Sequence, residues 1–461
     1  MKAEDSRQVD TDEEMLARNA GRASSGAETD VTTRLRTKAE WAQGSGLMEV
    51  VCERGNLMLA YQRVVKNKGA AGVDGIGIAE FKGHLKQHWP TIKATLLEGT
   101  YMPHAVRRVD IPKPQGGVRT LGIPTLTDRL IQQALHQVLS PIFEATFSES
   151  SYGFRPGRNA HQAVKAAKQY VAEGRRIVVD MDLEKFFDTV NHDVLMSRVA
   201  RRISDKRVLK LIRAFLNSGM MDHGLVEPTE EGVPQGGPLS PLLSNILLDE
   251  LDKELEKRKL NFVRYADDCN IYVASERAGD RVMKGITQFL AKKLRLKVNA
   301  EKSAVGRPWE RKFLGFTYTR ERQPRRRIAP AALERLKGKL KEMTSRKRGG
   351  TLEQIVGELS RYLRGWQNYF GFCQTPTVLQ KIGGWLRHRL RCLIWKRWKR
   401  SSTRFQRLRE LGLSTGHAKE GAGNGSKGPW RMSASPPLQN ALSIRYFRNL
   451  GLPDLMNAMN A

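Results

Sequence analysis

Residues 262–275 read FVRYADDCNIYVAS, in which two short runs of strand-forming residues flank the sequence ADDC at 266–269. Strand formers on either side of turn residues predict a β-hairpin with two adjacent carboxylates at its tip. Adjacent carboxylates repel one another, so ionising both costs free energy unless a cation lies close by. Mg²⁺ binds a few carboxylates together with waters and phosphates. A solvated turn is the alternative, and these four residues alone favour it because Asp is common in turns.

A third carboxylate, upstream of the hairpin, changes this balance. Residues 177–188 read IVVDMDLEKFFD, an apolar run that predicts a strand ending at Asp180 and Asp182. If this strand lies beside the hairpin, Asp182 can face Asp267 and Asp268. Three carboxylates on neighbouring elements could then hold two metal ions ~3.5–4 Å apart. Such a pair of ions activates an attacking hydroxyl and stabilises the leaving oxygen of a phosphoryl transfer.

The residues before the hairpin predict a loop and a buried helix. Residues 232–241, GVPQGGPLSP, are rich in Gly and Pro and cannot form regular structure. Ser240 is predicted to cap the following helix, with Pro241 as its first residue. Leucines recur every four residues along that helix and predict one buried stripe, formed by Leu243, Leu247, Leu251 and Leu255.

Taken in this order, the motifs resemble a known family. The Asp182 strand with its Phe-Asp pair, the PQGG loop and the YADD hairpin resemble the reverse transcriptases of the group II intron maturase family. The resemblance runs from residue 55 to the C-terminus, and residues 363–370, LRGWQNYF, resemble the maturase signature. It implies an α+β right-hand polymerase of fingers and palm, an all-α basic thumb called maturase domain X, and a small C-terminal DNA-binding tail.

The resemblance implies catalytic and metal-binding residues at the matching positions. These are Asp182, Asp267 and Asp268, with the backbone carbonyl of Leu183 as a further metal ligand. The family's alignment rests on the Phe-Asp pair, which selects Asp182. Asp180 is interpreted as an ordinary strand-end residue, solvated or hydrogen-bonded to backbone. The implied cofactor is Mg²⁺, as two ions, with Mn²⁺ as a substitute.

Five further positions match nucleotide-binding residues of the family. A Pro-Gln-Gly-Gly sequence between strand-like runs predicts a fingers hairpin, flanked by Lys113 and Arg119. The resemblance assigns both to the triphosphate, whose oxygens Arg can bind in pairs; a basic surface hairpin is the alternative. Phe187 would exclude a 2′-hydroxyl, with core packing as its alternative. Gln235 would contact the sugar and base, and Lys302 would approach the nucleotide or template.

The charge of the chain predicts a polyanionic partner. Its 461 residues include 79 Lys and Arg against 48 Asp and Glu, a formal net charge of +31. Nucleic acid is the default partner of so basic a chain, and a membrane surface is the alternative. No apolar run approaches the ~20 residues that span a bilayer, and the first residues lack a secretory signal. The four isolated cysteines indicate neither a zinc site nor disulfides, and they fit a reducing cytoplasm.

The basic residues concentrate in the last third of the chain. Residues 320–400 hold 22 Lys and Arg against 5 Asp and Glu, an asymmetry that predicts a groove for a polyanion. Helices are predicted at 354–366 and 385–400. Trp385, Trp395 and Trp398 lie among the cations of the second, where they can stack on RNA bases or pack within a helical bundle.

Five arginines and lysines are predicted to bind RNA. Arg389, Lys396 and Arg400 fall on one face of the helix predicted at 385–400. Arg155 and Arg158 belong to the sequence SYGFRPGR, which carries template contacts in the resembled family. Anchoring of their own loop is the alternative for these two arginines.

The predicted domains follow the family. They are a mobile N-terminal tail (1–36), an N-terminal extension of the fingers (37–100), the fingers (101–176), the palm with the catalytic hairpin (177–319), the thumb or domain X (320–400), and a linker with a DNA-binding tail (401–461). The ending resembles that of subgroup C bacterial enzymes, so the endonuclease domain of larger relatives is expected to be absent.

The function implied is an RNA-directed DNA polymerase of a mobile group II intron that also assists splicing and retrohoming. Its partners would be group II intron RNA, an RNA template with a DNA primer, target DNA and deoxynucleoside triphosphates, with no membrane. A nucleoid-associated place in the bacterial cytoplasm follows. Two alternatives stay open: an RNA-binding splicing cofactor that does not polymerise, and a reverse transcriptase recruited to a host role such as phage defence. The oligomeric state is not predicted.

Overall fold

A computed structural model describes residues 46–112, 117–222, 225–227, 231–423 and 428–455. The chain divides into two compact units that separate between Arg307 and Pro308. This division falls before residue 319, where the predicted palm ends. The predicted N-terminal tail, 1–36, lies outside the described residues.

The first unit alternates helices with short strands. Its elements in chain order are α1 (Leu47–Val51), α2 (Arg54–Lys66), α3 (Ile78–Glu98), β1 (Val106–Pro112), β2 (Val118–Ile123), α4 (Leu126–Glu144), α5 (Ala160–Ala172), β3 (Ile177–Met181), α6 (Phe186–Thr189), α7 (His192–Val199), α8 (Lys206–Leu216), β4 (Met220–Asp222), β5 (Leu225–Glu227), α9 (Ser240–Lys257), β6 (Asn261–Tyr265), β7 (Asp268–Val273), α10 (Glu276–Phe289), a π-helical turn (Leu290–Leu294) and β8 (Ala304–Gly306).

The sheet that carries the site has the strand order β6-β7-β3-β8, with every neighbouring pair antiparallel. Strand β3 lies beside the hairpin because its apolar residues are buried on both faces. Ile177 and Val179 belong to the main core, while Val178 is buried on the opposite face. Helix α10 packs against β3, and helix α5 packs against β6. The predicted placement of the Asp182 strand beside the hairpin is confirmed.

A second sheet has the order β2-β1-β4-β5, in which β1 pairs antiparallel with β2 and parallel with β4. The predicted fingers hairpin is confirmed by the register of β1 and β2, which runs from Arg107 opposite Ile123 to Pro112 opposite Val118. Its tip, including Lys113, lies outside the described residues.

Helix α9 buries the predicted leucine stripe and connects the loop at 232–239 to the hairpin. The four leucines are at most 2% exposed. The helix begins at Ser240, one residue earlier than predicted, and its N-cap is Leu239. The Ser240 hydroxyl therefore does not cap the helix but donates to the carbonyl of Pro234 at 2.7 Å, which fixes the preceding loop.

The second unit is mainly helical. Its elements are β9 (Phe316–Tyr318), β10 (Arg326–Ile328), α11 (Pro330–Met343), α12 (Leu352–Phe370), α13 (Pro376–Arg397), α14 (Ser401–Glu410), α15 (Thr415–Gly423), α16 (Gly428–Met432), α17 (Pro436–Ala441) and α18 (Ile444–Asn449). In the described part of the chain, no helix combines the length and the apolar character that crossing a membrane requires.

The residues that follow α17 are bonded to the long helices of this unit. Gln367 on α12 donates to the carbonyl of Asp454 at 2.9 Å, and Arg391 on α13 donates to the carbonyl of Leu442 at 2.9 Å. Ser360 also donates to the carbonyl of Gly451. The predicted C-terminal tail is thus packed on helices of the predicted thumb.

Candidate active site

The hairpin that carries Asp267 and Asp268 has a tighter turn than predicted. Tyr265 pairs directly with Asp268, so only Ala266 and Asp267 form the connection. Ala266 adopts the left-handed conformation, with φ of 57°. Asp267 therefore lies at the tip, whereas Asp268 is the first residue of β7.

The structure brings Asp182 close to the tip of the hairpin. Met181 opposite Cys269 is the last pair between β3 and β7, and Asp182 follows directly, as Asp268 directly precedes Cys269. Burial raises the pKa of Asp267, and the negative charge of Asp182 raises it further. The two carboxylates are therefore within electrostatic reach, although they lie far apart in the sequence.

Positive charges stand beside this carboxylate pair. The ammonium of Lys302 is 3.5 Å from the carboxylate of Asp182. A backbone hydrogen bond to Asp267 lowers its pKa, and the charges of Arg119 and Arg264 lower it further, against the larger effect of burial. These positive side chains therefore compensate part of the negative charge of the two carboxylates.

The backbone of Asp182 is fixed by the segment that carries Lys302. Its N–H donates to the Ser303 hydroxyl at 2.9 Å, and its carbonyl accepts from the Asn299 N–H at 2.8 Å. Leu183 continues this contact through a bridge with Val298. No local pattern in residues 296–303 predicts these bonds, because they form only when this segment packs beside Asp182, which is distant in the sequence.

Asp180 is placed differently from Asp182. It pairs with Asn270 across the sheet. When the Asn270 amide is oriented to satisfy both of its polar atoms, its nitrogen donates to the Asp180 carboxylate at 3.0 Å. Asp180 therefore has a hydrogen-bonding role within the sheet, although its partner is a side chain rather than the expected backbone.

Two predicted nucleotide-binding residues are joined directly. The Arg119 Nε donates to Gln235 Oε1 at 2.8 Å, and the Gly122 N–H donates to the Gln235 carbonyl at 2.8 Å. Gly236 permits this approach, because a Cβ there would lie 2.7 Å from the Gly122 carbonyl oxygen. The exposed Arg119 is thus held on the same side as Asp267, whose pKa it lowers.

Phe187 lies on α6 and is only partly buried, whereas its neighbour Phe186 is 2% exposed. The two rings meet edge to face. The carbonyl of Phe187 accepts from the Val233 N–H at 2.6 Å, two residues before Gln235. Phe186 is therefore a core residue. Phe187 is only partly covered by the core, so part of its side chain stays accessible.

The donor set fits a hard divalent cation. Carboxylate oxygens are the ligands that Mg²⁺ prefers, and it binds few of them, completing its shell with waters and substrate phosphates. In the described residues, no group of three or more His, Cys, Asp or Glu side chains has an arrangement that could hold a metal ion. The strand register nevertheless places Asp182 beside Asp268, with Asp267 in the adjoining turn, so the three predicted carboxylates lie at the same end of the sheet.

The arginines of the SYGFRPGR segment are bonded to their own loop and to the end of helix α4. The side chain of Arg155 is 3% exposed, and it binds Glu144 at 2.7 Å and the carbonyl of Ser151 at 2.9 Å. Arg158 forms an ion pair with Glu149 and donates to its carbonyl at 2.6 Å. These contacts favour loop anchoring, the alternative to phosphate binding.

The three predicted RNA-binding residues of the second unit differ from one another. Arg389 donates to the Thr344 hydroxyl at 2.6 Å and to the Lys341 carbonyl at 3.1 Å. It thereby binds the C-terminal end of α11. Lys396 and Arg400 are exposed. The single predicted helix is wrong for Arg400, because α13 ends at Arg397 and Arg400 is the N-cap of α14.

The tryptophans around α13 also separate into two kinds. Trp395 is fully buried with the Arg404 guanidinium 4.3 Å from its ring centre, so it packs in the helical core. Trp385 and Trp398 remain partly exposed. Packing is therefore the observed role for the first, and the other two keep surface on which a base can stack.

Comparison with known families defines the class of protein. A model described as reverse transcriptase (RNA-dependent DNA polymerase) matches residues 111–318, which include the candidate site. A second model, the group II intron maturase-specific domain, matches residues 333–412. The fold is that of a reverse transcriptase followed by a maturase domain. The chain belongs to the group II intron reverse transcriptases and maturases.

Several known proteins are similar over part of the chain. Protein YkfC of Escherichia coli K12 is 41% identical over 47% of this chain and 58% of its own length. The group II intron-encoded protein LtrA of Lactococcus lactis is 40% identical over 45% of this chain and 34% of its own length. The chain thus spans less than two thirds of these relatives. A partial Cas6-RT-Cas1–Cas2 complex matches 53% of this chain and 42% of its own, with 23% identity and a TM-score of 0.36.

Proposed function

We propose that the chain is the RNA-directed DNA polymerase of a mobile group II intron, and that it also assists splicing and retrohoming of that intron. The observation that carries this proposal is the strand register that places Asp182, directly after β3, beside Asp268 and the tip of the β6–β7 hairpin. Lys302 and Arg119 border the same carboxylates. The proposed substrates are an RNA template with a DNA primer and deoxynucleoside triphosphates.

Asp182, Asp267, Asp268 and the Leu183 carbonyl are the groups that would hold two Mg²⁺ ions, or Mn²⁺ in their place. When bound, such ions lower the pKa of the primer 3′-hydroxyl and neutralise charge on the leaving pyrophosphate. The position of Asp267 at the tip suits its carboxylate to this role, and the bonds from Ser303 and Asn299 hold the backbone of Asp182.

The remaining residues would bind and select the nucleotide. Arg119 is oriented by Gln235 to bind phosphate oxygens, together with Lys113 of the hairpin tip. Gln235 would also contact the sugar. The accessible side of Phe187 would exclude a 2′-hydroxyl by contact. Lys302 would approach the nucleotide or template while balancing the charge of Asp182.

The second unit would bind intron RNA and target DNA. Its maturase-specific match covers most of the strongly basic region. Exposed Lys396 and Arg400 are suited to RNA phosphates. We place Arg389 behind this surface, as a residue that joins α13 to α11. Nucleic-acid partners of this kind agree with a nucleoid-associated position in a bacterial cytoplasm.

Primer extension on an RNA template tests the polymerase directly. The double substitution Asp267→Ala and Asp268→Ala should abolish DNA synthesis in Mg²⁺, as should a chelator with the unmodified chain. Asp193→Asn is a suitable control, because Asp193 is largely exposed and paired with Arg213 at 2.7 Å. Extension by the double variant at the unmodified rate would refute the assignment.

A splicing cofactor that does not polymerise is the second candidate, favoured by the maturase-specific match. The two activities can be separated. The Asp267→Ala, Asp268→Ala variant should still promote splicing of the intron RNA, whereas Lys396→Glu with Arg400→Glu should impair splicing. Splicing promoted by an unmodified chain that extends no primer would support the cofactor alone.

A further inference from the structure

A fully buried arginine lies directly behind the catalytic turn. Arg264 is on β6, two residues before Ala266, and its side chain is 0% exposed. All five of its N–H donors have acceptors. Nε and Nη2 bind the two carboxylate oxygens of Asp252 at 2.7 and 2.6 Å. The other three donors bind Asn245 at 3.0 Å, Ser151 at 2.8 Å and the carbonyl of Ala266 at 2.8 Å.

These partners come from three separate parts of the chain. Asn245 and Asp252 lie on α9, Ser151 precedes α5, and Ala266 is in the turn itself. A guanidinium presents its donors in a fixed plane, so it can hold several acceptors in one geometry. Because Asp252 is also 0% exposed, its charge is compensated within the cluster.

The hydrogen bond from Arg264 to the Ala266 carbonyl lies at the residue of the turn whose backbone conformation is unfavourable. A residue with a Cβ rarely adopts the left-handed conformation found at Ala266, unless its surroundings impose it. The next peptide unit carries Asp267. The acceptor that Arg264 holds is therefore the carbonyl group that joins Ala266 to Asp267.

The SYGF segment closes the turn from the other side. The Arg264 N–H donates to the Ser150 carbonyl at 2.9 Å, and the Tyr152 N–H donates to the Arg264 carbonyl at 2.8 Å. Asn245 binds the Gly153 carbonyl at 2.9 Å. Gly153 is packed so closely that a Cβ would collide with the backbone nitrogen of Ala266.

We propose that Arg264, supported by Asp252, Asn245 and Ser151, is a positioning residue that fixes the Ala266–Asp267 turn and so aims the Asp267 carboxylate at the catalytic cation. Arg264 acts through Asp267 and does not itself contact the substrate. This inference rests on the proposed polymerase function. The alternative is a purely structural ion pair, which would contribute to folding but not to cation binding.

The two roles predict different outcomes for Arg264→Lys. Lysine keeps the positive charge beside Asp252, but its three donors cannot reproduce five planar bonds. Supporting residues of this kind typically contribute about 10- to 100-fold to metal affinity or activity. Arg207→Lys is the matched control, because Arg207 also forms ion pairs with carboxylates, those of Glu49 and Asp205, and neither of them belongs to the hairpin.

Cation binding can be measured without catalysis. Mn²⁺ binding by the full chain, followed by electron paramagnetic resonance, should weaken about 10-fold or more in Arg264→Lys and stay unchanged in Arg207→Lys. The Mg²⁺ concentration for half-maximal primer extension should rise in parallel, with primer–template affinity unaffected. Both variants are expected to lose thermal stability, so stability alone does not decide between the two roles.

Equal Mn²⁺ affinity in a folded Arg264→Lys protein and the unmodified chain would overturn the proposal. If Arg264→Lys does not fold, Ser151→Ala provides the test, because it removes one acceptor and leaves the ion pair between Arg264 and Asp252 intact. Ser151→Ala should also weaken Mn²⁺ binding, and unchanged binding would overturn the proposal. An unmodified chain that binds Mn²⁺ but extends no primer would refute the proposed function instead.

Discussion

Asp267 is held in surroundings that oppose its charge. Burial and the neighbouring Asp182 raise its pKa, and a backbone hydrogen bond together with Arg119 and Arg264 offsets only part of this effect. A carboxyl that is unfavourable as an anion gains most when a cation arrives. At the scale of single residues, the site is therefore less stable without its cation than with it.

Asp267→Asn is expected to raise Tm at neutral pH when a chelator is present, since the amide carries no charge. The pKa of Asp267 is raised in the folded chain, so its anion opposes folding above that folded pKa. The opposition disappears as the pH falls through the folded pKa towards the unfolded value of ~3.9. The gain in Tm should shrink in parallel.

Calorimetry between about pH 4 and about pH 8 measures this change. Asp193→Asn, at an exposed position, is the control. An Asp267→Asn gain of equal size at every pH would contradict the electrostatic explanation.

Gln235→Ala should weaken nucleotide binding by releasing Arg119. A hydrogen bond to a charged group contributes ~1.5–3 kcal/mol, so KM for the deoxynucleotide should rise about tenfold or more. Because Gln235 would also contact the sugar, the effect on kcat distinguishes orientation of Arg119 from alignment of the substrate. Steady-state extension kinetics provide both constants. Gln169→Ala, which removes a bond to exposed Glu173, should leave KM unchanged.

At the scale of elements, the hairpin turn depends on close packing by a neighbouring loop. Gly153 supports it from a neighbouring loop, with no room for a side chain against Ala266. Gly153→Ala should therefore destabilise the first unit by ~1–3 kcal/mol, as overpacking commonly does. It should also displace the turn and lower kcat.

Gly83→Ala is the control for this substitution. Gly83 lies within α3 and has open space around its Cβ position, so alanine should stabilise the unit by ~0.5–1 kcal/mol through lower backbone entropy in the unfolded chain. Thermal unfolding and extension rates of the two variants measure the difference. A Gly153→Ala protein as stable and active as Gly83→Ala would show that the backbone can move residue 153 away from Ala266 without loss of stability.

Periodic and turn-forming elements were predictable from the sequence. The fingers hairpin and the leucine stripe of α9 follow from local patterns, since alternation and four-residue spacing report burial directly. Asp182 was placed beside the hairpin because apolar strands of this kind pair. Arg264 was not singled out, although a charged residue inside an apolar strand is a signal of a buried partner. Its partners Ser151 and Asp252 reach it only in the folded sheet, so no local pattern could name them.

For the whole molecule, the net charge of +31 predicts attraction to polyanions. The structure shows that individual basic residues have different roles. Arg155 and Arg389 are engaged by protein acceptors. Lys396 and Arg400 are exposed. Composition therefore predicted the kind of partner, while burial and hydrogen bonding distinguish structural cations from those available to RNA.

Lys396→Ala with Arg400→Ala should lower RNA affinity and reduce the dependence of affinity on salt. Each RNA phosphate that the variant no longer neutralises should reduce the steepness of log K against log salt by ~0.7–0.9. Arg389→Ala should instead lower Tm, because Thr344 and Lys341 lose their donor. Filter binding over a salt series, with calorimetry of the same variants, measures both. An unchanged slope in the double variant would remove Lys396 and Arg400 from the RNA surface.

The bonds from Ser360, Gln367 and Arg391 to backbone carbonyls at the chain's end have a consequence for engineering. A deletion after residue 400 would leave those three donors without their acceptors. The shortened protein would then lose activity because its helices are destabilised, for reasons unrelated to DNA targeting. Grafts intended to redirect insertion should keep residues 308–455 together and exchange them as one cassette.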